Sequence, residues 1–238
     1  MTQDAPGSSA RYLAKWELGD VRGVVVVVDV LRAFTTAAYA FASGASAIWL
    51  VGTVAEALAM ARELPGGLTM GEDHGRRPEG FDFSNSPVEV ANADLDGRVL
   101  VQRTSAGTQG ALAATGAERL FAASLVCASA TATAIAETGP RAPTYVITGR
   151  FPDAPDGGDD DLATAQLIER ARLGEPLNIA DTRDAVAHSV WAGRMAQMDV
   201  GDVHPDDIAY SVDVDRFDFA MEVQRVGSRL RLLARAVR

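Results

Sequence analysis

The sequence contains a single cysteine, Cys127, and only three histidines, His74, His188 and His204, far apart along the chain. An intrachain disulfide and a Cys-rich zinc site are therefore excluded, and a His-based zinc site lacks clustered ligands. Basic residues are scarce: 22 Lys and Arg stand against 32 Asp and Glu, for a formal net charge of −10. Such a chain has no electrostatic footprint for nucleic acid. Long apolar runs are lacking too. Val24-Val25-Val26-Val27-Val28 is the longest near the N-terminus and far too short to cross a bilayer, and residues 1–10 lack the pattern of a signal peptide. The expectation is a cytoplasmic protein with no nucleic-acid or membrane partner; a homodimer is left open. No internal repeat or low-complexity block is present.

What is there is an ordinary globular composition, 47% hydrophobic and 23% charged, over 238 residues. That length suits one α/β domain, read as 11–238 after a flexible terminus at 1–10. The valine run ends at Asp29 and predicts a strand buried on both faces. Ala33–Ser43, closed by Gly44, predicts a helix, and Ala47–Val51 a second strand. Thr53 with Glu56 is a capping box for a helix that stops at Pro65-Gly66-Gly67. Leu68–Gly71 predicts a third strand, followed by a long polar loop over 72–87. Strands are expected again at Arg98–Arg103, Arg119–Ala122 and Thr144–Thr148. The intervening and following helices open at Thr104, from Ala128 to Glu137, from Asp160 to Arg172 and from Thr182 to Met198. Phe217–Leu233, with Gly227-Ser228 between alternating apolar positions, predicts a β-hairpin. The fold class is three-layer α/β/α with a mainly parallel, mixed sheet.

Ligands of such folds sit beyond the carboxyl ends of the strands. Asp29 lies at one such end, followed by Arg32, Thr35 and Thr36: a carboxylate for a metal or phosphorus, a guanidinium fork and hydroxyl donors for anion oxygens. Equally, Asp29 can be a helix cap and Arg32 a surface charge. Glu72 closes another strand and opens a loop holding His74, Arg76, Arg77, Asn85 and Ser86, a composition suited to Mg²⁺ plus an anion or simply to solvent. Arg103 precedes the Thr104-Ser105-Ala106-Gly107-Thr108 turn, a generic anion cradle without the lysine of a nucleotide-binding loop. Asp159-Asp160-Asp161 at a helix start either caps the helix or serves the site. Cys127, among small apolar residues, reads as packing, and His188 and His204 as structural.

Together these segments resemble the 2-phosphosulfolactate phosphatase family. Asp29-Val30-Leu31-Arg32-Ala33-Phe34-Thr35-Thr36 is similar to its DVLRA-x-TT signature. Gly71-Glu72 with Gly80-Phe81-Asp82-Phe83-Ser84-Asn85-Ser86-Pro87 resembles its GE…GFD-x-GNSP loop. Thr104–Thr108 resembles TTNGT, Ser124 to Ala130 resembles SL-x-NA-x-A, and Asp160-Asp161 falls where the family carries ED. The likeness runs in order from about residue 22 to 233. This chain departs at Asp73, Ala106, Cys127 and Asp160, where the family carries Arg, Asn, Asn and Glu. The resemblance implies Mg²⁺-dependent hydrolysis of 2-phosphosulfolactate to 3-sulfolactate and phosphate, as in coenzyme M synthesis. On that expectation Asp29, Glu72 and Asp161 ligate Mg²⁺. Arg32 and the Thr104–Thr108 turn neutralise the phosphate, while Arg76, Arg77 and Arg103 bring positive charge for the rest of a small, acidic metabolite. The alternatives are a phosphatase of another small phosphorylated hydroxy acid and a non-catalytic anion-binding protein of the same fold.

Overall fold

The structure is a computed structural model and describes residues 9–154, 156–198 and 202–237. Most of the expected flexible terminus lies outside the described residues. In chain order the elements are β1 (Arg11–Leu13), β2 (Val24–Val28), α1 (Ala33–Ala42), β3 (Ala47–Leu50), α2 (Val54–Glu63), β4 (Leu68–Gly71), α3 (Pro87–Ala91), β5 (Val99–Arg103) and α4 (Gly107–Ala113). They continue with β6 (Arg119–Ala123), α5 (Ala128–Ala136), β7 (Thr144–Ile147), α6 (Asp159–Leu173), α7 (Ile179–Ala187), α8 (Val190–Met195), α9 (Asp207–Ser211), β8 (Phe219–Val226) and β9 (Arg229–Ala236). No helix among the described residues is long and apolar enough to cross a membrane.

The nine strands form one sheet in the order β1-β7-β2-β6-β8-β9-β3-β5-β4. Two parallel blocks, β1-β7-β2-β6 and β3-β5-β4, are joined by the antiparallel C-terminal hairpin. The hairpin is thus the seam of the sheet, with β8 on β6 and β9 on β3. The valine run shows why three layers form: Val25 and Val27 pack on one face with Phe34 and Ala37 of α1, while Val24, Val26 and Val28 pack on the other with α5 and α6. Each such fully buried side chain contributes about 1.5–3 kcal/mol. On that second face α2 covers the other block through Ala57 and Met60. Its capping box forms as the sequence predicts, Thr53 Oγ1 accepting the Glu56 N–H at 3.1 Å and Glu56 Oε2 the Thr53 N–H at 2.9 Å.

Two expectations need correction. The single helix over Thr182–Met198 is two, because Ser189 caps α8 by accepting the Ala192 N–H at 3.1 Å, and Asp159 accepts the Val190 N–H. The loop over 72–87 ends in a short helix, α3, capped by Ser86 with Pro87 in its first turn.

Candidate functional site

The carboxyl ends of β2, β7, β4 and β5 open into one cavity of about 560 Å³. Its wall carries five carboxylates, Asp29, Glu72, Asp153, Asp160 and Asp161, against three cations, Lys15, Arg32 and Arg194. Phe151 and Trp191 supply the aromatic part.

Asp29 leaves β2 and is buried beside α1, where Oδ1 accepts the Ala33 N–H at 2.9 Å. Burial is the main cause lifting its carboxyl to about pKa 6, with the nearby charge of Glu72 adding to it; donors at Ala33, Thr148 and Gly107 oppose the rise only in part. Gly107 is required here by close approach: a Cβ would stand 2.7 Å from Asp29 Oδ2 and 2.8 Å from the Ala33 Cβ. The peptide bond between Leu31 and Arg32 is cis.

The acidic triplet at the start of α6 divides into three roles. Asp159 takes the Val190 N–H and ties α8 to α6. Asp161 is a brace, with Oδ1 on the Val30 N–H at 3.0 Å and Oδ2 on Gly149 N–H at 2.8 Å and the Thr148 hydroxyl at 3.2 Å. Asp160 is almost fully buried, yet its Oδ1 has no hydrogen-bond partner among the described residues. Burial first, then the charges of Asp29 and Asp159, push Asp160 up to about pKa 7, and burial with Asp160 and Asp29 raises Asp161 well above the ordinary carboxylate range. The second orphaned oxygen on the cavity wall is Asn85 Oδ1.

Glu72 occupies the matching strand end of the other block with a different outcome. Its Oε1 accepts the Ser105 N–H, and Oε2 accepts the Gly75 N–H at 2.6 Å and the Ser105 hydroxyl at 3.1 Å. Both oxygens are committed to the protein.

The remaining expected residues divide in the same way. Arg32 lines the cavity and pairs with the buried Asp207 at 2.7 Å. Arg76, Arg77 and Arg103 do not line it. Arg76 is exposed, Arg77 braces its own loop through the Phe81 and Asp82 carbonyls and Glu89, and Arg103 holds the Glu72 carbonyl and Asp73. Thr35 and Thr36 are buried in α1, Thr35 bonding the Val30 carbonyl and Ser124; Thr104 and Thr108 bond one another across their turn. Of the Thr104–Thr108 turn, Ser105 and Ala106 reach the wall. Ser86 turns to Asp207. His74 lines the rim, almost entirely exposed, while His188 and His204 are exposed and do not line it. Cys127 is buried packing, and burial pushes its thiol up to about pKa 11.

Sequence reasoning missed Lys15, Thr148, Phe151, Trp191 and Arg194. Lys15 carried a signal: it is the only lysine in a chain whose other 21 basic residues are all arginine. It comes from a 3₁₀ turn after β1, sits 4.9 Å from the Phe151 ring centre and is 3.4 Å from the Ser105 carbonyl. Arg194 stacks on Trp191 at 4.5 Å.

Among the described residues no three His, Cys, Asp or Glu side chains gather into a metal-binding group. The unpartnered donors are nevertheless hard oxygens, a carboxylate oxygen of Asp160, which feels the charge of Asp29, and the amide oxygen of Asn85 on the same cavity wall. In chemical type they suit a Mg²⁺-like ion, which takes one or two carboxylates and completes its shell with neutral oxygens and water. Glu72 and Asp161, two of the three ligands expected from sequence, instead have both oxygens engaged by protein donors.

An α/β sheet that delivers raised-pKa carboxylates and cations to one strand-end cleft has the layout of an enzyme active site. Residues 12–192 match the model of a family described as 2-phosphosulpholactate phosphatase. The chain is 32% identical over 206 residues to the "Probable 2-phosphosulfolactate phosphatase" of Bacillus subtilis, covering 85% of this chain and 87% of that protein. It is 38% identical over 146 residues to the protein of the same name from Thermus thermophilus, covering 61% of this chain and 60% of the other. The chain belongs to the 2-phosphosulfolactate phosphatase family and is an enzyme of the phosphoric monoester hydrolase class.

Proposed function

We propose that this chain hydrolyses 2-phosphosulfolactate to 3-sulfolactate and inorganic phosphate with Mg²⁺, as a cytoplasmic step of the coenzyme M type. The observation that carries the reading is the pairing of Asp29 with the orphaned Asp160 in a cavity that also holds Arg32, Lys15 and Arg194. Asp160 and Asn85 would hold the cation, which when bound supplies Lewis acidity toward a phosphoryl oxygen. Arg32 meets the phosphate with charge-assisted hydrogen bonds. Asp29, at about pKa 6, is suited to take a proton from the attacking water near neutral pH. Lys15 and Arg194 take the roles expected of Arg76, Arg77 and Arg103 and face the second anionic end of the substrate, a sulfonate or a carboxylate. Phe151 and Trp191 confine their side chains.

The test is phosphate release from racemic 2-phosphosulfolactate, with Mg²⁺ and with EDTA, beside phosphoglycolate and phospholactate. Metal-dependent release that favours the sulfonate is expected. Comparable release from all three supports a phosphatase of another hydroxy acid, and no release from a folded protein refutes the hydrolase reading.

A further inference from the structure

Arg32 is almost fully buried, so the orientation of its guanidinium must be imposed by the protein. Its Nη1 donates to Asp207 Oδ2 at 2.7 Å and to the Asp202 carbonyl at 3.0 Å, and its other N–H groups have no partner among the described residues. Asp207 stands at the start of α9, far along the chain from the strand-end motifs, and is completely buried. Its Oδ2 also accepts the His204 N–H at 2.9 Å, and its Oδ1 accepts the Ser86 hydroxyl at 2.5 Å. Ser86 is the cap of α3 and the immediate neighbour of Asn85, which lines the cavity and has an orphaned amide oxygen. One carboxylate therefore clamps two separate pieces of the cavity wall, the Arg32 fork and the turn that presents Asn85.

We propose that Asp207 is a positioning residue of this site: it fixes Arg32 by Nη1 so that the rest of the fork meets a phosphoryl group, and through Ser86 it registers the turn that presents Asn85, which would hold the cation, beside that group. A buried pair of this kind is poor evidence for stability, because desolvation offsets most of the attraction, but it sets geometry sharply. Misplacement by about 1 Å at a reacting centre costs on the order of 100-fold. The inference rests on the phosphatase reading for its role in turnover and on anion binding alone for its geometry, so the two are separable by experiment.

The probe for geometry is inorganic phosphate, titrated calorimetrically with Mg²⁺ into wild type, Asp207→Asn, Arg32→Gln and the double variant. Asp207→Asn keeps the shape and removes the charge. Phosphate affinity is expected to fall roughly 10-fold or more in each single variant, and the double variant is expected to lose clearly less than the two losses combined, since Asp207 acts in part through Arg32. In turnover, kcat of Asp207→Asn falls by about 10- to 100-fold, more than KM rises, because alignment is lost before binding. Unchanged phosphate affinity in Asp207→Asn, additive losses in the double variant, or a wild type that binds no phosphate would each overturn the assignment. Should Asp207→Asn fail to fold, the wild type still decides. The guanidinium NMR signal assigned by Arg32→Lys must be protected from solvent exchange and must shift on adding phosphate; a freely exchanging signal indifferent to phosphate refutes the proposal. Loss of hydrolysis in the wild type with intact phosphate binding would remove the phosphatase reading and leave the Asp207 clamp standing.

Discussion

The two parallel blocks of the sheet each end a strand in an acid that reaches the same cavity, and they treat it in opposite ways. In the β3-β5-β4 block, Glu72 is met by three protein donors, on Gly75 and Ser105, which satisfy both its oxygens and turn it into a pin for the loop after β4. In the β1-β7-β2-β6 block, Asp29, Asp160 and Asp161 crowd together under burial, with no cation paired to any of them among the described residues, and Asp160 keeps an oxygen without a donor. The first arrangement is complete without a ligand. The second is costly until a proton or a cation arrives, which is how a site built for a ligand differs from a carboxylate built into the architecture.

The largest break in that contrast is expected at Asp29. Asp29→Asn should lower kcat by about 10³-fold while leaving the metal-free protein as stable as wild type or more so, because one member of the repelling group is gone. Phosphate release and thermal melts in EDTA check the two halves; unchanged turnover at saturating Mg²⁺ would sink the role given to Asp29. Asp160→Asn comes next. Wild type should gain thermal stability on adding Mg²⁺, and this variant should lose most of that gain. The third effect is on pH. Asp29 and Asp160 have folded-state pKa values of about 6 and 7, above the ordinary value of 3.8, so the folded state binds more protons than the unfolded chain across that range. The stabilisation is fully present below about pH 4 and is lost progressively as pH rises from there through 6 to 7, by roughly 3 kcal/mol for a shift of about two units. Denaturant melts of the metal-free protein at pH 5 and pH 8 should show the fall, and Mg²⁺ should reverse it at pH 8. A flat profile would mean that the acids are not held together.

Much of this fold is legible from local patterns. The valine run, the capping box at Thr53 and Glu56, and the turn at Gly227-Ser228 each encode their element within a few residues. The position of the hairpin does not, because strand order is decided by long-range pairing. Nothing near Phe219 or Arg229 states that β8 meets β6 while β9 meets β3. The site divides similarly. Strand-end acids can be read from where an expected strand stops, so Asp29 and Glu72 are both found. Which of them is already satisfied depends on Ser105, a residue 33 positions from Glu72. Asp160 and Asp161 are adjacent in sequence and indistinguishable there; only the helix phase directs Asp161 to the Val30 and Gly149 amides and leaves Asp160 Oδ1 bare.

Glu72→Gln is a smaller but sharper probe of the comparison. The amide keeps one acceptor and presents an NH₂ where the carboxylate accepted N–H groups, so a backbone donor on Gly75 or Ser105 loses its partner. The expected cost is about 1–3 kcal/mol of stability, with a modest loss of turnover through the loosened loop. Its sign is opposite to that of Asp29→Asn in EDTA. A Glu72→Gln protein as stable as wild type but unable to respond to Mg²⁺ would instead place Glu72 among the metal ligands and erase the distinction between the two blocks.

The smallest effect belongs to the arginine that the sequence makes most conspicuous. Arg76 lies in the glycine-rich loop beside Glu72, yet it is exposed and off the cavity wall, whereas Lys15 arrives from the N-terminal turn and lines that wall. Arg76→Ala should therefore leave kcat/KM within about twofold of wild type, the ordinary result for a screened surface charge. Lys15→Ala should raise KM about tenfold with little change in kcat, as the loss of one uniform substrate contact does. The pair of variants separates charge near the site in sequence from charge in the site in space. A tenfold loss in Arg76→Ala would show that the loop after β4 closes over the bound substrate and brings Arg76 inward, and the Glu72 block would then share directly in substrate binding.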